Sequence, residues 1–207
     1  MRILSPVVLV CAVAATAGAQ SPSPSLRVQL GPILGIAMTG LSVSYANPAI
    51  GFSSGSGNGT SPYFGIFARR SLTPSMHLGL QGVFDLKGDD GARYSIPYVQ
   101  FPLQLEVTPF APAGERRWVR PVFIAGGSAG VRLRADGGKE HYAAMRPFEF
   151  SLVAGLGLEA HFRSRDWVQL GIVTHHGLTD LQPEPGFTSS FSLALYVKAH
   201  PGAMRPH

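Results

Sequence analysis

The chain has one cysteine, little charge and, after its first residues, no long hydrophobic run. That cysteine, Cys11, is alone among 207 residues, so neither a disulfide framework nor a thiolate metal site can be built. Charged residues are 14% of the total, and Lys and Arg are scattered rather than clustered, which gives no nucleic-acid footprint. No stretch beyond the N-terminus holds 18 consecutive apolar residues, so helical membrane spans are excluded. A barrel is not excluded, because each of its strands needs only half its residues to be apolar. What the chain does have is 25 Gly, 17 Pro and 45% hydrophobic residues, a composition suited to many strands joined by reversals. Its length suits one domain.

Residues 1–19 read as a secretory signal peptide. Arg2 supplies the positive start, Ile3 to Ala15 form an apolar core too short to span a membrane, and Ala17-Gly18-Ala19 gives the small-x-small cleavage site. The alternative is an N-terminal anchor. Residues 20–26, with Ser21-Pro-Ser-Pro-Ser25, form a polar, disordered lead. The barrel domain is expected over 27–198 and a tail over 199–207.

The stretch Tyr98 to Pro109 organises the rest. Val99, Phe101, Leu103, Leu105 and Val107 share one parity, while Gln100, Pro102, Gln104, Glu106 and Thr108 take the other. A period of two puts the first set on one face of a strand and the second on the opposite face. The alternation recurs in segments near 27–39, 62–70, 76–87, 94–109, 118–133, 147–162, 167–178 and 187–198. Residues 42–61, centred on Gly55-Ser-Gly-Asn-Gly59, read as a long flexible loop. Asn58-Gly-Thr60 inside it matches a glycosylation sequon, a match expected by chance in such a tract.

Eight strands with antiparallel connections, short near Thr73, Ala113 and Ser164 and longer elsewhere, predict an all-β, eight-stranded antiparallel up-and-down transmembrane barrel. Tyr63, Tyr94, Phe110, Trp118, Tyr142, Phe148, Trp167 and Phe187 are candidates for two interfacial girdles. The same periodicity suits a secreted lipocalin-like barrel with its apolar face inward around a small hydrophobic ligand. The polar face here is dominated by Gly, Ser and Gln rather than by many Lys and Glu, which favours the membrane arrangement.

Four segments resemble the small outer-membrane barrels of the porin-like, PorT-like family. They are Tyr98-Val-Gln-Phe-Pro-Leu-Gln-Leu105, Val119-Arg-Pro-Val-Phe-Ile-Ala-Gly-Gly127, Phe150-Ser-Leu-Val-Ala-Gly-Leu-Gly-Leu-Glu159 and Gly177-Leu-Thr-Asp180. The resemblance spans most of the chain after residue 26. It implies an eight-stranded barrel in the outer membrane of a Gram-negative bacterium, with outer-membrane lipid and the barrel insertion machinery as partners and no shared catalytic residues. Many members end in an aromatic residue, whereas this chain continues through Ala199 to His207.

With the polar faces inward, Glu106, Glu149, Glu159, Arg120, Arg132, Lys87, Lys198, His77, His161 and His175 share a narrow interior. They are expected to pair as a salt-bridged plug. His175-His176 cannot chelate one ion, because neighbours on a strand face opposite ways; His161 and His175 meet only if the register allows it. Ser189 or Ser190 with His175 or His176 is the best set for a lipid A-modifying enzyme, although triads are defined by geometry and no spacing marks one. Gly126-Gly-Ser-Ala-Gly130 lacks the helix a nucleotide loop needs. The expectation is a non-enzymatic barrel acting in envelope structure or through its surface loops, with no cofactor and no metal.

Overall fold

A computed structural model describes residues 28–47, 51–89, 94–109, 118–133, 146–162, 166–179 and 186–200. Eight strands follow one another: β1 Val28–Asn47, β2 Gly51–Ser71, β3 Met76–Asp89, β4 Tyr94–Val107, β5 Trp118–Arg132, β6 Phe148–His161, β7 Trp167–Gly177 and β8 Gly186–His200. Each pairs antiparallel with the next. β1 pairs with β8 from Ile33↔Lys198 to Tyr45↔Gly186, which closes the barrel in sequence order. Closure satisfies the ladder groups of strands that would otherwise be edges. The proposed signal segment, the lead and residues 201–207 lie outside the described residues, as do the connections at 110–117, 134–145 and 180–185.

The burial of alternate side chains settles which way each strand faces. Leu30, Leu34, Ile36 and Met38 on β1, Leu103 on β4, Leu152, Leu156 and Leu158 on β6 and Ile172 on β7 all point outward and stay half or more exposed. Their alternates point inward. Thr39, Gln100, Gln104, Glu106, Glu159 and Lys198 are buried. The apolar faces therefore form the outside of the barrel, the reverse of a lipocalin-like arrangement. An eight-stranded barrel is just wide enough for its inward side chains to fill it.

Four expectations are corrected. Residues 42–61 are not a loop for most of their length, because β1 runs to Asn47 and β2 begins at Gly51, paired down to Asn47↔Gly51. Ladder bonds are made by main chain, so a Gly/Ser tract with a paired neighbour needs no β-prone side chains to stay extended. The sequon accordingly lies on a strand. With only residues 48–50 joining β1 to β2 and 90–93 joining β3 to β4, long and short connections do not alternate; what distinguishes this rim is the projecting β1–β2 hairpin. β8 runs to His200, so the tail's first two residues belong to the last strand.

Aromatics give the fourth correction. Phe148 points outward, 59% exposed, but Tyr63 and Trp167 are each 1% exposed and face the interior. Tyr63 shares parity with Phe67 and Arg69, and Trp167 with Gln169, so neither can reach the outer surface. Tyr94, Trp118 and Phe187 lie on strands whose side chains there are outside the described set, and Phe110 and Tyr142 fall in undescribed connections. Glycine gives the inward aromatics room. A Cβ on Gly171 would lie 2.6 Å from the Tyr196 hydroxyl, and one on Gly31 would lie 2.8 Å from the Phe67 ring. Here an aromatic lies over a glycine.

Candidate functional site

The interior is layered along the barrel. Near the rim of the 72–75 turn, five strands contribute one ionic network. Glu159 on β6 accepts from Arg120 of β5 through Nε at 2.8 Å and Nη2 at 2.6 Å. Arg69 of β2 also bonds Glu159 and lies 3.2 Å through Nε from Glu106 of β4. Lys198 of β8 donates to Glu106 at 2.7 Å. His161 Nε2 sits 2.7 Å from Glu159, and His77 lies between Ser71 Oγ at 3.0 Å and Arg120 Nη2 at 3.3 Å. Arg69 stacks on Trp167, 4.7 Å from its ring centroid. Three cations thus surround two carboxylates, and Arg120 also reaches the Pro74 carbonyl at 3.3 Å. Such a buried network is costly to break on one side only, because the surviving charge is left without solvent or partner.

Toward the opposite rim a second network joins five strands. Lys87 of β3 pairs with Glu149 of β6 and donates to Ser190 Oγ at 3.0 Å, and Ser190 in turn bonds Glu149. Gln100 of β4 donates to Glu149 at 3.3 Å and accepts from Ser128 at 2.8 Å. Between the networks lies an apolar and aromatic layer containing Ile33, Val122, Ile124, Val153, Val173, Tyr63 and Tyr196. Its presence means the inward face is not polar throughout. The two ionic networks are separated, and the barrel is filled.

The expected interior set is therefore divided. Glu106, Glu159, Arg120, Lys198, His77 and His161 meet in one network, and Glu149 with Lys87 in the other. Arg132 is half-buried on β5, opposite Tyr98. His175 stands apart in the middle layer, 2% exposed. His161 and His175 do not meet: the register sets His161 opposite Trp167 and His175 opposite Val153. His175 and His176 face opposite ways, as a strand requires. Arg69, which bridges both carboxylates of the first network, was not among the expected residues. Its signal was the Arg69-Arg70 pair, since one of two adjacent arginines on a strand must point inward.

The expected pairing of Ser190 with His175 or His176 is not formed. Ser190 is engaged by Lys87 and Glu149 rather than by a histidine, and His176 is exposed on the outer face. Among the described residues no group of three or more His, Cys, Asp or Glu side chains is placed to hold a metal ion.

No protein-family model matches the chain, and no curated protein matches it. Three solved structures are similar in fold. Neisserial surface protein A (NspA) is 14% identical with a TM-score of 0.48, over 84% of this chain and 99% of that one. The N-terminal β-barrel domain of Pseudomonas aeruginosa OprF is 14% identical with a TM-score of 0.43, over 79% and 96%. Ail, the attachment invasion locus protein of Yersinia pestis, solved with the heparin analogue sucrose octasulfate, is 10% identical with a TM-score of 0.39, over 84% and 98%.

Proposed function

We propose that this chain is an integral outer-membrane barrel, exported by a cleaved signal peptide, that acts in envelope structure or through its projecting rim rather than as an enzyme. One observation carries the reading. An apolar row faces outward, with Leu30, Leu34, Ile36, Ile66, Leu103, Leu156 and Ile172 half or more exposed, while the charged side chains of Arg69, Lys87, Glu106, Glu149 and Glu159 are buried inside. In water that arrangement would expose apolar rows and desolvate charges together. In a bilayer both are favourable, and closure of β1 on β8 bonds the backbone groups that would otherwise be sheet edges. The motif likeness to the porin-like, PorT-like barrels of Gram-negative bacteria fits this reading. Its partners are then outer-membrane lipid and the barrel insertion machinery.

The test is fractionation of expressing cells with heat-modifiable mobility on a gel. The reading expects the protein in the envelope pellet after carbonate extraction and a faster band unboiled than boiled. Recovery in the soluble periplasmic fraction with one band would overturn it.

A further inference from the structure

Two irregularities coincide in the wall between β2 and β3. These strands pair only from Phe64↔Phe84 to Ser71↔His77. Beyond Phe64, β2 continues to Gly51 paired with β1 alone, and beyond Phe84, β3 continues to Asp89 paired with β4 alone. The seam above Phe64 and Phe84 is bridged by the side-chain bond from Ser61 Oγ to Asp85 Oδ1 at 3.3 Å.

Directly behind this seam lies a buried polar cluster that includes a carboxylate, Asp85, which accepts from Ser61. Tyr63, Asp85 and His175 are 1%, 1% and 2% exposed. The Tyr63 hydroxyl and both ring nitrogens of His175 have no hydrogen-bond partner. Glu106, Glu149 and Glu159 are all ion-paired, whereas Asp85 has no ion pair among the described residues. Lys87 nearby is engaged by Glu149 and Ser190. The Tyr63 ring lies 6.3 Å from the His175 ring and 6.5 Å from that of Tyr196. Buried polar groups left unpaired cost about 1–3 kcal/mol each, and two residues that carry such groups, Tyr63 and His175, lie where the wall lacks its ladder.

Their chemistry specifies an occupant. A carboxylate, a phenol oxygen and a neutral imidazole nitrogen are three acceptors, and an ammonium head carries three donors, no acceptor and one positive charge. Two tyrosine rings add faces that attract a cation. Outside the seam, Phe64 and Phe84 stack at 5.0 Å on the outer surface, an apolar sill over which an alkyl chain can leave.

We propose that the β2–β3 seam is a lateral binding site for an alkylammonium amphiphile, with its ammonium on Asp85, Tyr63 and His175 and its chain crossing Phe64 and Phe84. Binding parts a seam that has no ladder bonds to break. The site rests on the lipid-facing reading only for where the chain lies. Fractionation tests that reading and titration tests the seam, so the two failures are distinguishable.

The test is calorimetric titration of the folded protein, in phosphatidylcholine nanodiscs, with dodecylammonium, and with dodecyl sulfate as the opposite-charge control. Saturable binding of dodecylammonium at one site, with none of dodecyl sulfate, is expected. Asp85→Asn weakens it at least tenfold. A second variant, Pro62→Cys with Leu86→Cys in a Cys11→Ala background, staples the seam two residues above the last pair. It should bind only when reduced, so that one folded molecule serves as its own control. Heat-modifiable mobility checks folding of each, and the staple carries the test if Asp85→Asn does not fold. Absence of saturable binding, equal binding of dodecyl sulfate, or binding undiminished by the oxidised staple would overturn the proposal.

Discussion

Replacing Glu159 by Gln should be among the most damaging conservative changes in this barrel. The carboxylate accepts from Arg69, from two nitrogens of Arg120 and stands beside His161. Arg69 keeps Glu106, but Arg120 loses the carboxylate it bonds through two nitrogens and retains the Pro74 carbonyl and His77. Three buried cations then face one carboxylate. Breaking a buried pair on one side typically costs about 3–5 kcal/mol, roughly two to three and a half powers of ten in the folded fraction. The assay is a reversible urea titration of the protein folded into lipid vesicles, followed by gel mobility and extrapolated linearly. Arg120→Met in the Glu159→Gln background should recover a large part of the loss, because it removes the stranded charge. A loss under about 1 kcal/mol for Glu159→Gln, or no recovery in the double variant, would refute the idea that this network closes the rim by mutual neutralisation.

Leu156, 60% exposed on β6, faces lipid in this account, so Leu156→Arg should lower stability by about 2–4 kcal/mol in the same titration if it lies near the midplane; a solvent-facing position would tolerate it. Gly171→Ala places a methyl 2.6 Å from the Tyr196 hydroxyl and should cost about 1–3 kcal/mol as overpacking. Gly127→Ala meets only the Ser151 carbonyl at 3.7 Å, so its midpoint should stay within error of the parent's.

Much of this fold was legible because the side-chain period is two. Wherever a strand keeps one apolar row, as in Val99 to Leu105 or Phe148 to Leu158, parity separates the two faces, and the scarcity of Lys and Glu on the polar one favoured turning the apolar row outward, with Glu106, Glu149 and Glu159 inward. The reading failed where parity carried no contrast. The Gly51 to Gly59 tract has almost no apolar side chains to alternate, and its extension depends on main-chain bonds to β1 that composition does not show. Tyr63, Phe67 and Trp167 look like surface anchors by residue type, yet their parity puts them inside, over Gly31 or against Arg69. The division of the charges into two networks was beyond sequence, since it depends on register across strands: Lys87 reaches Glu149 over 62 residues of chain and Lys198 reaches Glu106 over 92. The seam behind Asp85 was hidden for the same reason, because where a ladder stops is a property of two strands together.

The central claim is that the apolar rows meet lipid and the charged rows do not. Single nitroxide labels along β6, in a Cys11→Ala background in vesicles, test it most directly by collision with oxygen and with a water-soluble nickel chelate. Labels at Leu152, Ala154, Leu156 and Leu158 should show high oxygen and low nickel accessibility, while those at Ser151 and Val153 show little of either. The opposite phase, or nickel accessibility at Leu152 and Leu156, would contradict the account.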